Sequence, residues 1–409
     1  MRRGTENEDR NEKQLQRLLW VLSAATFLIF FQAYMVAPLI PRLSELFGVS
    51  SQRIGLIVPA YMIPYGVSTL FYGLFSDRLG RWRIMRVSLV AFLVLTALTA
   101  TAQTASQMIL WRVSTGLGAS GVVPLALALI GDLFPYERRG RPLGWLFGAM
   151  AGGMAFGSTV GVILEPFVGW RMLFVGVAVL GVCLLALLLP YGSLFPARSA
   201  GPAPSTQQVF AGYRSLLAVG RGLRTYGYVF LNSIFHSGVY TWLGLYFARR
   251  YSLGEIGIGL ALLGYGVPGF LFGPIIGRVV DRRGRRWILP IGVGIAAIAA
   301  LALIPKMPLV GAALAVTALS LGYDMTQPLL AGIVTHLGGK ERGGQAMGLN
   351  VFTLFTGFGV GSLLFGEALR LGFGAALGIF GAVQLLAALT AIRFFRFESV
   401  KQAAPVAVR

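Results

Sequence analysis

Long stretches with almost no charged residues recur along the whole of this 409-residue chain. Residues 54–75, 173–189, 287–304 and 344–366 are examples, and each is close to the roughly 20 residues that an α-helix needs to cross a bilayer. About twelve such stretches can be counted, beginning near residues 18, 54, 84, 108, 142, 170, 226, 255, 287, 308, 344 and 372. Only helices and closed barrels span lipid, and these uniform runs lack the alternating pattern of barrel strands. The pattern therefore predicts an all-α membrane protein with twelve transmembrane helices.

The charged residues are few and unevenly distributed. Only 12% of the residues are charged and 56% are hydrophobic, which leaves too few polar residues to cover a water-soluble globule of this size. Most of the 35 Lys and Arg residues lie in the tails, in the central connection and in the loops after predicted helices 2, 4, 8 and 10. The positive-inside rule then predicts that both termini are cytoplasmic. The membrane topology therefore explains the net charge of +20. No nucleic-acid partner is expected.

Three local features of the sequence complete this picture. Residues 1–16 are polar, and the apolar segment after them ends without a cleavage site, so a cytoplasmic tail is predicted instead of a signal peptide. Cys183 is the only cysteine, which excludes an intramolecular disulfide and a cysteine-rich metal site. Arg249 and Arg250 fall on the predicted outer side and are an exception to the charge rule.

A segment of the first half of the chain returns in the second half. GLFSDRLGR, from Gly73 to Arg81, is followed 204 residues later by GRVVDRRGR, from Gly277 to Arg285. The same spacing relates Tyr61 to Tyr265, Gly118 to Gly322, Glu137 to Glu341 and Gly157 to Gly361. Six predicted helices per copy give both copies the same orientation. We therefore expect two pseudo-symmetric six-helix bundles, related by an axis along the membrane normal, with a substrate between them.

The repeat and the Pro-, Gly- and Ser-containing stretch in the middle divide the chain into five predicted segments. They are a cytoplasmic N-terminal tail (1–17), an N-terminal six-helix bundle (18–191), a cytoplasmic linker (192–224), a C-terminal six-helix bundle (225–395) and a cytoplasmic C-terminal tail (396–409).

The repeated pattern G-x-x-x-D-R-x-G-R lies between the second and third predicted helices of each half. With this motif the chain resembles the major facilitator superfamily, most closely its branch of drug:proton antiporters with twelve spans, over nearly its whole length. In that family the loop acts as a cytoplasmic gate. By position, the resemblance implies Gly73, Asp77, Arg78, Gly80 and Arg81 in the first copy and Gly277, Asp281, Arg282, Gly284 and Arg285 in the second. An Asp beside a helix-terminal Gly can face the positive N-terminus of a neighbouring helix, whereas the Arg residues alone would also fit topogenic charge.

The resemblance extends to predicted helix 4, where Arg112 is followed by the small residues Gly116 and Gly118. An arginine within the membrane must find a partner or water, so it is functional by default. One near the outer end of a helix can instead extend its side chain to the interface. Arg112 is assigned to the cavity, with this surface position as the alternative.

Predicted helix 5 carries a run of glycines. Gly153, Gly157 and Gly161 have the spacing of the antiporter signature, but Val162 stands where that signature has proline. Glycines spaced by four residues also permit close packing of helices. These glycines are therefore interpreted either as an export signature or as a surface for helix packing.

Ionisable residues inside helices are the candidates for proton coupling. Asp324 lies deep in predicted helix 10 and His236 lies midway along predicted helix 7. A carboxylate at this depth is costly when ionised, and an imidazole changes charge near neutral pH, so both suit a proton relay. Helices 1, 4, 7 and 10 line the cavity in the superfamily, which implies that Gln32, Arg112, His236 and Asp324 meet there. Structural hydrogen bonds are the alternative for both ionisable residues.

Further polar residues on these helices are weaker candidates for substrate contact or packing: Asn232, Tyr34, Tyr240, Tyr323 and Gln327. Glu165, Glu367 and His336 fall near helix ends and are expected at the surface. The stretch 31–38 has no acid, although many antiporters of this branch carry one in helix 1. An anionic or neutral solute is therefore as credible as a cation.

The sequence as a whole favours a secondary transporter that works as a monomer in a plasma membrane, most simply a bacterial inner membrane, by alternating access. Proton-coupled export of a small organic compound is the first hypothesis, and proton-coupled import of a metabolite is the second. A membrane sensor with the same fold is a third. No P-loop, catalytic Ser-His-Asp set or metal-ligand spacing occurs, so neither an enzyme nor a cofactor is expected, and the proton gradient is the energy source.

Overall fold

The computed structural model describes residues 2–134, 140–195, 205–268, 279 and 284–398, apart from a few of their side chains. The first helices are α1 (Arg2–Tyr34), α2 (Ile40–Phe47), α3 (Ser51–Gly55), α4 (Pro59–Leu79), α5 (Arg81–Thr99), α6 (Ala105–Ala119), α7 (Val122–Leu133) and α8 (Gly140–Leu188). The later ones are α9 (Thr206–Ala218), α10 (Gly220–Thr241), α11 (Leu243–Tyr251), α12 (Glu255–Ala261), α13 (Ile288–Ala302), α14 (Leu309–Ala368) and α15 (Phe373–Phe394). These ranges contain no strand, which confirms the predicted all-α class.

Eight helices among the described residues are long and apolar enough to cross a membrane. The longest of these spans, Pro142–Leu194, bends at Gly169, whose φ of +76° is not helical, so it consists of two consecutive helices. Helix α13 is apolar but has only 15 residues. The chain is an integral, multi-pass membrane protein, and the count of twelve spans stays a prediction.

Both ends of the described chain lie at one end of the bundle, here called the terminal end, because α1 starts beside the end of α7 and α9, which contacts α4, leads directly into α10. Trp20 of α1 contacts Trp145 of α8, with ring centroids 4.2 Å apart. Near the other end of the chain, Arg221 at the start of α10 binds Glu398 at 2.7 Å. The opposite end, which holds Arg42 and Glu255, is the distal end.

Helix α9 lies at the terminal end and touches both halves. Its Phe210 ring lies 6.4 Å from the ring of Phe71 in α4. Its Ser215 accepts a hydrogen bond of 2.8 Å from Arg342 in α14. The helix begins with a capping box, in which Ser205 and Gln208 each satisfy a backbone N–H of the other. The connection between the halves is therefore a structured element that links α4 to α14.

The backbone repeats the sequence duplication. Gly80 and Gly284, the second glycine in each copy of the motif, have φ of +92° and +76°. Gly48 and Ser252 also lie 204 residues apart, with φ of +61° and +55°. A side chain disfavours positive φ, so these values rarely recur at one spacing by chance. The turns of the two halves have the same shape.

Glycines hold the central helices of each half in close contact. A Cβ on Gly157 of α8 would lie 2.5 Å from the carbonyl oxygen of Phe31 in α1, and one on Gly161 would lie 2.8 Å from Cβ of Met35. Gly153 likewise meets the backbone of α1. Gly361 of α14 makes the equivalent approach to the backbone of α10 in the second half. These positions have no room for a side chain.

We expect Gly157→Ala to lower the melting temperature of the purified protein in detergent, because the added methyl group meets a backbone carbonyl that cannot move alone. Overpacking of this kind costs about 1–3 kcal/mol. Gly148→Ala is the matched control, since Gly148 lies in the same helix with open space around its Cα. The control should be neutral or slightly stabilising through helix propensity. Equal melting temperatures for the two variants would contradict this close contact.

Candidate transport site

Arg112 of α6 is completely buried and connects three segments of the first half. Its Nη1 donates to Oε1 of Gln32 at 2.9 Å, its Nε to the carbonyl of Ile57 at 3.1 Å and its Nη2 to the carbonyl of Ala33 at 3.3 Å. The guanidinium also lies over the ring of Tyr61, 4.3 Å from its centroid. The side chain therefore points into the bundle and does not extend to the surface.

The two carbonyls that bind Arg112 lie where helices are interrupted. Ala33 is in the last turn of α1, and Ile57 is in the turn between α3 and α4. Terminal carbonyls of a helix lack intrahelical partners and carry partial negative charge, which a cation stabilises. The positive charge of Arg112 thus fixes the end of α1 and the turn between α3 and α4 against α6.

His236 of α10 lies in an aromatic layer in the second half. Its ring stacks on the ring of Tyr323 in α14, with centroids 3.6 Å apart. Its Nε2 shares a hydrogen bond with the hydroxyl of Tyr265. Its Nδ1 is buried without a partner among the described residues. Nδ1 of this imidazole is therefore available to form a hydrogen bond or to exchange a proton.

Asp324 follows Tyr323 in α14 and is half-buried. Its Oδ2 accepts a hydrogen bond of 3.1 Å from the hydroxyl of Ser320, one helical turn earlier. The same hydroxyl accepts a hydrogen bond of 2.9 Å from the backbone N–H of Gly266. The carboxylate is thus connected through Ser320 to the segment after α12.

Tyr34 joins the two halves. Its ring lies 5.4 Å from the ring of Tyr240 in α10 and 6.4 Å from that of Phe358 in α14. The hydroxyl of Tyr240 donates to the carbonyl of Tyr34 at 3.3 Å. On the α4 side, the rings of Tyr65 and Phe355 lie 4.3 Å apart. A continuous aromatic layer therefore fills the centre of the bundle.

Several buried polar atoms of this layer have no hydrogen-bond partner among the described residues. They are the hydroxyls of Tyr34, Tyr61 and Tyr65, Nε2 of Gln32, Nδ1 of His236 and both amide atoms of Gln327. Such a group costs about 1–3 kcal/mol when it is left unsatisfied, and native proteins contain few of them. These atoms could accept or donate hydrogen bonds to a polar ligand or a proton in the centre.

Asn232 has a different role from the other candidates. Its Nδ2 donates to Thr326 of α14 at 2.9 Å, and its Oδ1 accepts from Gln384 of α15 at 3.0 Å. Both ends of the amide are thus occupied inside the second half. Asn232 ties three helices together there.

Sequence reasoning missed part of the site. The repeat pairs Tyr61 with Tyr265, and this spacing could have suggested equivalent places beside the cavity. Tyr65, Ser320 and Gln384 lie in uniformly apolar or mixed stretches, where no pattern showed which side of the helix faces the centre.

The first copy of the repeated motif lies at the terminal end. Arg81 forms an ion pair with Asp132 of α7 and donates to the carbonyl of Ala128 at 3.4 Å. Arg78 is exposed, as is Gly73. The side chain of Asp77 lies outside the described residues.

Of the second copy, the structure describes residues 279, 284 and 285. Gly277, Asp281 and Arg282 lie outside the described residues. The backbone N–H of Arg285 donates to the carbonyl of Glu398 at 2.9 Å, and its Nη2 lies near Gly332, the equivalent of Ala128. His336 stands at the position equivalent to Asp132 and is exposed, as expected. The ion pair of the first copy thus has no acidic counterpart at this position.

At the distal end, Glu165 does not lie at the surface as the sequence predicted. Glu165 is only 4% exposed and accepts a hydrogen bond of 3.5 Å from Arg42. The expectation of a surface charge was wrong because this partner comes from a distant segment. Glu367, in contrast, is 63% exposed and pairs with Arg370 at 2.9 Å. Arg250, one of the two arginines that depart from the charge rule, donates to the carbonyl of Ile304 just after α13.

A multi-pass helical bundle with a buried polar layer between two like halves has the arrangement of a membrane transporter. The profile described as Major Facilitator Superfamily matches residues 22–362 and 225–408. The chain belongs to the major facilitator superfamily, whose members are transporters and not enzymes.

Known relatives fit this assignment. The uncharacterized MFS-type transporter YceJ of Bacillus subtilis is 27% identical over 91% of this chain and 94% of its own length. Multidrug resistance protein 3 of Bacillus subtilis is 34% identical, over 31% of this chain and 24% of its own length. The crystal structure of a D-xylose-proton symporter has a TM-score of 0.75 at 19% identity and covers 93% of this chain and 98% of that chain. This last similarity is one of fold.

Proposed function

We propose that the protein is a proton-coupled secondary transporter that exports a small organic compound by alternating access. The observation that carries the proposal is the layer between the halves, in which Asp324 and His236 lie beside buried polar atoms without partners. An acid at this depth can take up a proton in one state and release it in the other. The movement of the two halves would expose it to each side in turn.

The remaining residues take supporting parts in this proposal. Tyr34, Tyr323 and Gln327 would contact the substrate from both halves, while Arg112 and Gln32 would hold the helix ends of the first half. Asn232 would keep the second half rigid. The two motif loops would form the gate at the terminal end. The energy source would be the proton gradient, without a cofactor.

The topology follows from the charge distribution. The terminal end carries most Lys and Arg residues and would face the cytoplasm, with twelve spans in a bacterial inner membrane. The protein would act as a monomer, because the two halves of one chain supply both sides of the site.

The direction of transport has two candidates. The relative named for multidrug resistance favours export, and the proton symporter with the same fold favours import. A growth screen of an expressing strain against toxic compounds and metabolites would supply the substrate for the decisive measurement.

That measurement is uptake of the substrate into proteoliposomes with a pH gradient of either sign. We expect accumulation when the lumen is acidic, because an antiporter exchanges luminal protons for external substrate whichever way it is inserted. Protein-free liposomes control for passive trapping of a weak base. Accumulation only when the lumen is alkaline would support the importer instead, and no response to either gradient would overturn proton coupling.

A further inference from the structure

Arg42 at the distal end lies among three carboxylates. It is 3.5 Å from Glu165, 3.7 Å from Glu255 and 3.8 Å from Glu45. Arg42 and Glu255 are partly exposed, at 40% and 29%, while Glu165 is almost fully buried. One cation therefore serves three acids of different exposure.

The three acids differ in the half to which they belong. Glu45 is in α2 and Glu165 is in α8, so both belong to the same half as Arg42. Glu255 is the first residue of α12 in the second half. Of these three ion pairs, the one between Arg42 and Glu255 is the one that crosses from one half to the other.

Both partners of this crossing contact are held in place. The buried carboxylate of Glu165 orients the guanidinium of Arg42. On the other side, the turn before Glu255 is anchored where the hydroxyl of Tyr251 donates to the carbonyl of Met307 at 2.9 Å. The turn itself contains Ser252 with φ of +55°, the single positive-φ residue other than Gly in the described ranges. Glu255 also lies at a helix N-terminus, which stabilises its negative charge.

In the same region, the backbones of the two halves lie in direct contact. A Cβ on Gly244 of α11 would lie 2.9 Å from Cα of Pro38, so the two halves meet here without intervening side chains. Any opening of the distal end must separate Pro38 from Gly244. It must also move Glu255 away from Arg42.

We propose that Arg42 and Glu255 form a latch that holds the distal end closed and that breaks and reforms once in each transport cycle. When the halves separate, Arg42 stays with Glu165 and Glu45 and is ready to bind Glu255 again. Glu165 is a positioning residue that prevents Arg42 from turning into solvent. This inference rests on the movement of the two halves proposed above.

The test measures the distance between the halves by double electron–electron resonance in lipid nanodiscs. Spin labels are attached at Gln103→Cys and Val310→Cys, two exposed distal positions in different halves, after Cys183→Ser removes the only native thiol. We expect Glu255→Gln to raise the ratio of open to closed distances about three- to fivefold, as fits a partly exposed ion pair. Glu45→Gln is the matched control, because it removes a carboxylate from the same Arg42 within one half.

The outcomes separate the latch from the transport function. An unchanged distance distribution in Glu255→Gln, or an equal shift in Glu45→Gln, would overturn the latch. The latch is supported, whatever the substrate, if the spin-labelled protein with native Glu45 and Glu255 gives two distance populations and their ratio changes in Glu255→Gln but not in Glu45→Gln. A single distance in every variant would overturn the latch together with the alternating movement on which it rests.

Discussion

Replacing Asp324 by asparagine is expected to reduce proton-driven accumulation of substrate to the level of protein-free liposomes. Asparagine has the same size and its oxygen can still accept the hydrogen bond from Ser320. It cannot take up or release a proton at neutral pH, so the coupling is lost while the local packing is kept. The measurement is uptake of labelled substrate with and without a pH gradient.

A second measurement separates loss of coupling from loss of folding. Exchange of labelled for unlabelled substrate without a gradient needs movement of the loaded carrier but no net proton transfer, so it should persist in Asp324→Asn. Glu367→Gln is the control, since Glu367 lies in the next span, beyond the break at Gly339, and is exposed at the distal end. Wild-type proton-driven flux in Asp324→Asn would remove Asp324 from the mechanism. Loss of flux in both variants would point to a general effect of charge.

Much of the architecture could be predicted from the sequence because lipid leaves few choices. Uniform apolar runs of membrane length must be helices, and a repeat of 204 residues must give two like halves. The shared backbone shape at Gly80 and Gly284 follows from the same duplication. The helix count is harder to establish, because α13 is short and α8 combines two helices at Gly169.

The partners within the site could not be predicted in the same way. A uniformly apolar helix gives no periodic signal of which side faces the centre, so the inward position of Tyr65 was invisible. Glu165 depends on Arg42, which lies 123 residues away along the chain. Pairing over such distances is decided by how helices pack, and a short motif carries no information about it. The family resemblance implies that Arg112 and Gln32 share a cavity, and the structure shows the hydrogen bond that joins them.

The geometry of Arg112 suggests why an arginine, and not just a positive charge, is needed there. Three acceptors surround the guanidinium: the side chain of Gln32 and the carbonyls of Ala33 and Ile57. A planar fork with five donors can reach all three at once, whereas the ammonium of lysine is a compact point charge on a flexible chain. Hydrogen bonds to a charged group are each worth about 1.5–3 kcal/mol. The end of α1 and the turn between α3 and α4 therefore depend on this one side chain.

We expect Arg112→Met to abolish substrate flux and to lower the melting temperature, because a buried amide and two helix-terminal carbonyls lose their donor. Arg112→Lys should fold but transport at least about tenfold more slowly, since lysine cannot hold all three acceptors in the same geometry. Flux in proteoliposomes and thermal unfolding in detergent measure the two effects. Arg53→Met is the control, because Arg53 is an exposed arginine whose side chain binds only Ser106 among the described contacts. Normal flux in Arg112→Lys would show that the charge alone suffices, and the positioning of α1 and α4 by a guanidinium fork would then be wrong.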